Sequence, residues 1–343
     1  MDPPICWPLV GADRPIALVT APMRGEGFDL LRSIADVVYE PWIDQDPLRM
    51  YNAAQLAARV ADEGATIVVA EADECAGPLF AQPLIAVASC RGDPKNVDVA
   101  AATAAGVPVL RAPGRNADGV AEIAVALLLA ATRGLCTADR EVRAGQIYRD
   151  GTIPYQRFRA WQIQGKTAGL VGLGAVGRAL RWRLEGLGMQ IVSYDPFAAD
   201  ATHTNLDELL AACDVVSLHA PITADTKGMI GAAQFASMRD GAVFINTARA
   251  ELHDADALVG ALATGKVAAA GIDHFAGEWL DPEDPLTKLP NVVLAPHIGG
   301  ATFDTEANHS RLIASDLARL VAGETPVHIV NPEVLDTAGR SGT

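Results

Sequence analysis

The chain has 343 residues, half of them apolar and a fifth charged, with 31 glycines and 21 prolines. This is the composition of a globular protein of about two domains, each long enough for a core of its own, and it excludes a disordered or fibrous chain. The 42 acidic residues outnumber 27 basic ones, for a formal charge of −15 with no basic run. Nucleic acid and anionic membrane surfaces are therefore excluded as expected partners, whereas a small anion can still be held by a few arginines and helix N-termini.

Residues 1–15 (MDPPICWPLVGADRP) lack the apolar core of a signal peptide and read as a loose leader. From Ile16 short β-branched runs alternate with helical stretches: IALVTA (16–21), DLLRSIA, VVYEP (37–41), AAQLAARVADEG and TIVVAEA (66–72). That rhythm predicts a parallel α/β sheet. LIAVAS (84–89) and VPVLRAP (107–113) continue it, with the helix NVDVAAATAAG between them and Gly106 at its C-terminal cap. A helix over Ala117–Arg133 is apolar on more than one face, so it is expected to cross between domains or pack against a second subunit. Its most apolar part, Ile123–Thr132, is about half the length of a membrane span. A second βα series runs from Lys166 to about Gly300, and Asp304–Ala322 reads as one long helix. Cys6, Cys75, Cys90, Cys136 and Cys213 are odd in number and have neither zinc-site nor disulfide-framework spacing, which predicts free thiols, no metal and a cytoplasmic setting.

The segment TAGLVGLGAVGRAL places Gly172, Gly174 and Gly177 in G-x-G-x-x-G spacing between an apolar strand and an amphipathic helix, with Ala175 and Val176 in the helix's first turn. Gly172 allows the tight turn, Gly174 lets backbone approach a pyrophosphate, and Gly177 lets helix and strand pack closely. The next strand, QIVSYD, ends in Asp195, where a carboxylate accepts from ribose hydroxyls and repels a 2′-phosphate. The pattern predicts NAD rather than NADP as cofactor. Further strands end in polar or glycine-rich loops, VVSLHAPIT (215–223), AVFINTARA (242–250), AAAGIDHF (268–275) and NVVLAPHIGGAT (291–302), so Arg249, Asp273, Glu278 and His297 are expected to converge at the carboxyl edge of one sheet.

With these motifs in order, the stretch from about Leu84 to Gly323 resembles the D-isomer-specific 2-hydroxyacid dehydrogenases, which include phosphoglycerate, glycerate and D-lactate dehydrogenases. The resemblance rests on VDVAAATAAGVPV, PGRNADGVAE, GKTAGLVGLGAVGRAL, SYDPF, HAPITADTKGMI, NTARAELHDADAL, GIDHFAGE and NVVLAPHIGGAT. It implies a Rossmann-type doubly wound nucleotide domain over 116–304 and a smaller, flavodoxin-like α/β substrate domain assembled from 1–115 and 305–343. It also implies a homodimer built on nucleotide domains.

Carried over by motif, the family's catalytic residues fall on Arg249, Glu278 and His297. His297 would be the general acid and base, Glu278 would favour its imidazolium and orient it, and Arg249 would bind the substrate carboxylate. Asp273 would meet the nicotinamide carboxamide, and Ala220, Pro221, Thr226, Thr247, Ala248, Arg249, His297, Gly299 and Gly300 would line the cofactor cleft. Ala250, Trp279 and His274 depart from the common glycine, proline and apolar residue at their positions. A larger departure is CRGDPKNVD (90–98), where the family has a glycine-rich carboxylate-binding loop. There Arg91, Gly92 and Asp93 are the substrate-binding candidates. They could grip a second anionic group, accept from the hydroxyls of a sugar acid, or neutralise one another in solvent. Two rival readings are a formate dehydrogenase relative, which would carry glutamine at Glu278, and a non-catalytic NAD(H)-sensing regulator of the kind seen among related transcriptional corepressors.

Overall fold

A computed structural model describes residues 14–338. The leader through Asp13, with Cys6, and residues 339–343 lie outside the described residues. The chain divides into two compact units, one made of residues up to Arg115 together with those from Thr302, the other of Asn116–Ala301.

In the first unit β1 (Ile16–Val19), β2 (Asp36–Tyr39), β3 (Ile67–Ala70), β4 (Ala86–Ser89) and β5 (Val109–Leu110) form a parallel sheet in the order β2-β1-β3-β4-β5. Strand residues alternate between two core layers. Ala17, Val19, Ile67 and Val69 pack with Phe28, Leu31, Ile313 and Leu317, while Leu18, Val68 and Val87 pack with Leu56, Val60 and Ala102. Burial on both faces explains why these strands are continuous apolar runs instead of alternating ones. The helix Gly25–Ile34 crosses the helix Phe303–Val321 at Gly27, where any Cβ would collide with the backbone of Ser310 and Arg311. The C-terminal helix is thus part of the first unit's core. Its segment begins at Thr302, whose side chain caps the helix by accepting the Thr305 N–H at 3.0 Å.

In the second unit β6 (Thr167–Val171), β7 (Gln190–Tyr194), β8 (Val215–Leu218), β9 (Ala242–Asn246), β10 (Val267–Ile272) and β11 (Val292–Leu294) form a parallel sheet in the order β11-β10-β9-β8-β6-β7. Beyond β7, Tyr194 makes a single parallel bridge to His203. The order reverses between β6 and β8, so the crevice at their carboxyl ends is the place this topology opens for a ligand.

The helix Ala117–Arg133 packs within the second unit. Its Ala121, Ala124, Leu127 and Leu128 are buried in this unit's own core with Leu170, Leu180 and Ile245. It lies so close that a Cβ on Gly271 of β10 would stand 2.7 Å from the Leu127 Cβ. A helix between a sheet and a second helix needs apolar residues on two faces. Among the described residues no single helix is long and apolar enough to cross a membrane; this one and Leu135–Arg143 pass only as a pair, bent by 66°. Cys75, Cys90 and Cys213 are buried free thiols, and Cys136 is an exposed one.

Candidate active site

Each glycine of the turn after β6 has a distinct physical reason. Gly172 has φ +100°, and a Cβ there would press to 2.8 Å on the backbone of His219 and Ala220 at the end of β8. At Gly177 a Cβ would fall onto the Gly172 carbonyl group, whereas at Gly174 it would meet nothing within 4 Å. Gly174 is the N-cap of the helix Ala175–Gly186, and no side chain caps it, so the first-turn N–H groups face open space. Asp195 stands where β7 ends, its Oδ2 accepting the Leu173 N–H at 2.8 Å and its Oδ1 the Phe197 N–H at 2.9 Å. These bonds fix the carboxylate at the rim of the turn and leave lone pairs on both oxygens.

After β8, Ala220 is half-buried and Pro221 exposed. Thr226 closes their loop by donating from Oγ1 to the Pro221 carbonyl at 2.6 Å. After β9, buried Thr247 has an Oγ1 with no partner. The empty space over Gly174, the uncapped helix and this orphaned hydroxyl fit a dinucleotide, which would satisfy the polar groups that the fold leaves open. Asn246 shapes the next three residues: its Nδ2 donates to the Arg249 carbonyl at 2.8 Å and its Oδ1 accepts the Ala248 N–H at 3.0 Å. Arg249 is exposed, with Nη1 donating to the Ala248 carbonyl at 2.6 Å. Sequence reading missed Asn246; its signal is a polar residue closing the apolar strand AVFIN.

At the ends of β10 and β11 the backbone is under strain. Among the described residues only Asp150, Glu278 and His297 are non-glycine residues with positive φ, and the last two, at +55° and +56°, face each other. His297 donates from Nδ1 to Glu278 Oε1 at 2.8 Å. A left-handed conformation at such residues costs about 1–3 kcal/mol and clusters at functional sites. Asp273, 1 % exposed, holds the turn that carries His297, accepting the Ile298 N–H on Oδ1 at 2.9 Å and the Gly299 N–H on Oδ2 at 2.8 Å. These two bonds tie Asp273 to the loop that carries His297. A Cβ at Gly299 would lie 2.9 Å from that same Oδ2, which explains the glycine.

His274, noted in the sequence only as a departure, lies against the pair, with its Nε2 3.4 Å from Glu278 Oε1 and its ring centroid 4.5 Å from that of His297. Burial first, then the neighbouring His297, pushes its pKa below the usual 6.5. Arg249, Glu278 and His297 thus share one sheet edge with the glycine turn and Asp195. Arg91, Gly92 and Asp93 belong to the first unit, after β4. Arg91 donates from Nε to the Glu71 carbonyl at 2.7 Å, and Asp93 pairs with Lys95 at 3.7 Å in solvent, 72 % and 69 % exposed.

A seat for a dinucleotide and a group able to pass a proton, held on one sheet edge, are the parts of hydride transfer coupled to proton transfer, the work of nicotinamide-dependent oxidoreductases. Residues 125–299 match the family model described as D-isomer specific 2-hydroxyacid dehydrogenase, NAD binding domain. A D-3-phosphoglycerate dehydrogenase of Archaeoglobus fulgidus is 40% identical over 243 residues, 69% of this chain and 45% of that protein, so the chain matches less than half of that relative's length. A glyoxylate reductase of Thermofilum pendens is 36% identical over 331 residues, covering 94% of this chain and 96% of the relative. Among solved structures, an NADPH-dependent glyoxylate/hydroxypyruvate reductase of Sinorhizobium meliloti superposes with a TM-score of 0.74 at 28% identity, over 93% of this chain and 98% of that one. The chain belongs to the D-isomer specific 2-hydroxyacid dehydrogenase family of oxidoreductases.

Proposed function

We propose that the protein interconverts a 2-oxo acid and its D-2-hydroxy acid with NAD(H), His297 exchanging the proton, Glu278 orienting and supporting it, and Arg249 binding the substrate carboxylate. The observation that carries this reading is the 2.8 Å contact from His297 Nδ1 to Glu278 Oε1, made by two residues in left-handed backbone. A carboxylate only accepts, so Nδ1 carries a proton and Nε2 is the atom free to exchange one with substrate. The bound nicotinamide supplies or receives the hydride. In reduction the Nε2 proton moves to the carbonyl oxygen as negative charge develops there, leaving neutral imidazole bonded to Glu278; in oxidation the same nitrogen takes the hydroxyl proton. Arg249 is exposed and always charged, and its planar fork suits a carboxylate.

Asp195 supports NADH over NADPH, a choice that family membership leaves open because the Sinorhizobium relative uses NADPH. The first unit is the substrate domain in this reading, and the solvated Asp93–Lys95 pair favours a loop that offers backbone N–H groups over one that reads a second charge. Leu135, Tyr148, Tyr155 and Trp161 are exposed on the second unit and support a homodimer formed through this segment. Free cysteines support a reducing, cytoplasmic setting.

The test is consumption of NADH with glyoxylate, pyruvate, hydroxypyruvate and a phosphorylated 2-oxo acid. Turnover is expected with at least one, and loss of most of it in His297→Ala and Arg249→Ala. Binding of NADH without turnover of any of these acids would favour the sensing regulator.

A further inference from the structure

His274 belongs to neither the glycine turn nor the proton-exchanging pair, yet both of its ring nitrogens are directed at the residues around them. Its Nδ1 accepts the Ala250 N–H at 3.3 Å, which leaves the ring proton on Nε2. Nε2 stands 3.4 Å from Glu278 Oε1, a polar contact outside hydrogen-bond geometry, and that same oxygen accepts from His297 Nδ1 at 2.8 Å. One imidazole therefore spans from the residue following Arg249 to the carboxylate that serves His297. Its side chain is 9% exposed, against 58% for Glu278 and 41% for His297, so it is the fixed member of the three.

We propose that His274 is a positioning residue for this reaction: it ties the loop bearing the substrate-binding arginine to the Glu278–His297 pair and keeps Glu278 Oε1 turned toward His297. The inference rests on the roles of Arg249, Glu278 and His297 proposed above.

The role requires that His274 stay neutral while His297 gains and loses its proton. A proton on Nδ1 would oppose the Ala250 N–H donor to donor. A second imidazolium 4.5 Å from His297 would compete for the one carboxylate oxygen. The surroundings favour the neutral form: burial is the largest influence, His297 and Arg249 add like charge, and Glu278 and Glu251 only partly offset them. An apolar side chain at this position would leave the Ala250 N–H without its acceptor and Glu278 free to swing into solvent. Glutamine could accept the Ala250 N–H through its carbonyl oxygen and set its amide beside Glu278, without any charge to gain.

The test compares His274→Leu and His274→Gln with the native enzyme in two measurements. In steady-state reduction of the best 2-oxo acid, His274→Leu should lower kcat/KM about tenfold, the worth of the buried Ala250 N–H bond, mostly through a raised KM for the acid. Its loss of rate at high pH should begin at lower pH than in the native enzyme, and His274→Gln should restore most of both. In imidazole 15N NMR of the substrate-free protein, His274 should keep its proton on Nε2 throughout the pH range in which His297 titrates.

A leucine variant within about twofold of native activity and with an unchanged pH limb overturns the proposal. So does a glutamine variant as impaired as the leucine one, which would mean that only packing matters. A His274 proton on Nδ1, or gained together with that of His297, overturns it as well. The spectra need no substrate, so they judge His274 even if the proposed activity fails; His297→Ala with native turnover would reject that activity alone.

Discussion

Replacing Gly177 and Gly174 one at a time by alanine should separate two duties of the glycine turn. At Gly177 the new Cβ would stand 3.1 Å from the Gly172 carbonyl carbon and closer still to its oxygen. Carbon atoms settle at about 3.5–4.0 Å. Both partners are backbone, no rotamer relieves the clash, and the helix Ala175–Gly186 must retreat from β6 by about 1 Å. Overpacking of this kind costs about 1–3 kcal/mol, and the upper end applies where the neighbour cannot turn away. Alanine's better helix propensity returns about 1 kcal/mol, for a net loss of about 2 kcal/mol. In a unit of this size each kcal/mol moves Tm by about 2–4 °C, so melting should fall by about 4–8 °C. At Gly174, φ −66° and ψ −166° suit alanine and its Cβ meets nothing within 4 Å, so Tm should stay level or rise slightly. In the proposed reading that open space is the approach to the pyrophosphate, and filling it should weaken NADH binding. Thermal melts without cofactor and fluorescence titrations with NADH measure the two effects. If Gly174→Ala melts as early as Gly177→Ala, or binds NADH with native affinity, the division of duties is wrong.

Three further outcomes follow from the geometry. In the proposed role, Glu278→Gln, which removes the carboxylate that accepts from His297 Nδ1, should move the high-pH loss of reduction in pH–rate profiles to lower pH; an unmoved limb would show that the 2.8 Å contact has no electrostatic consequence. Asp195→Ala should weaken NADH and relax discrimination against NADPH in parallel steady-state assays, and native enzyme that already uses both equally would refute the role of that carboxylate. His219 and His253 are pushed down to about 4 by burial, from an ordinary 6.5 in the unfolded chain, so the unfolded state binds more protons between those values. Stability should be complete above pH 6.5 and fall as pH drops toward 4, and denaturation midpoints that stay flat across that window would contradict the burial.

The dinucleotide turn was legible because its determinants are local: three glycines at fixed spacing, a strand before, a helix after, and an acid at the end of the next strand. Packing was not local, and there sequence reading faltered. Residues 117–133 read correctly as a helix, but their apolar pattern could not name the helix's own sheet and a neighbouring helix as what covers Ala121, Ala124, Leu127 and Leu128. Asp273 drew attention as a carboxylate at a sheet edge, yet its use depends on two N–H groups arriving from 25 and 26 residues later. His274 carried no signal beyond an unusual residue type, since its acceptor role is defined by the Ala250 N–H, 24 residues before it. In the loop 90–98 the sequence left three readings open, and the exposed Asp93–Lys95 pair now supports the solvated one.

The left-handed backbone at Glu278 and His297 sets heat resistance against chemistry within two single codons. Glycine or asparagine would relax either position, so a random library sorted only for survival at high temperature should accumulate them there and shed turnover as it does so. Engineering this protein for durability would therefore need to hold both codons constant, and a homologue found with glycine at either one would be a candidate for having exchanged catalysis for persistence.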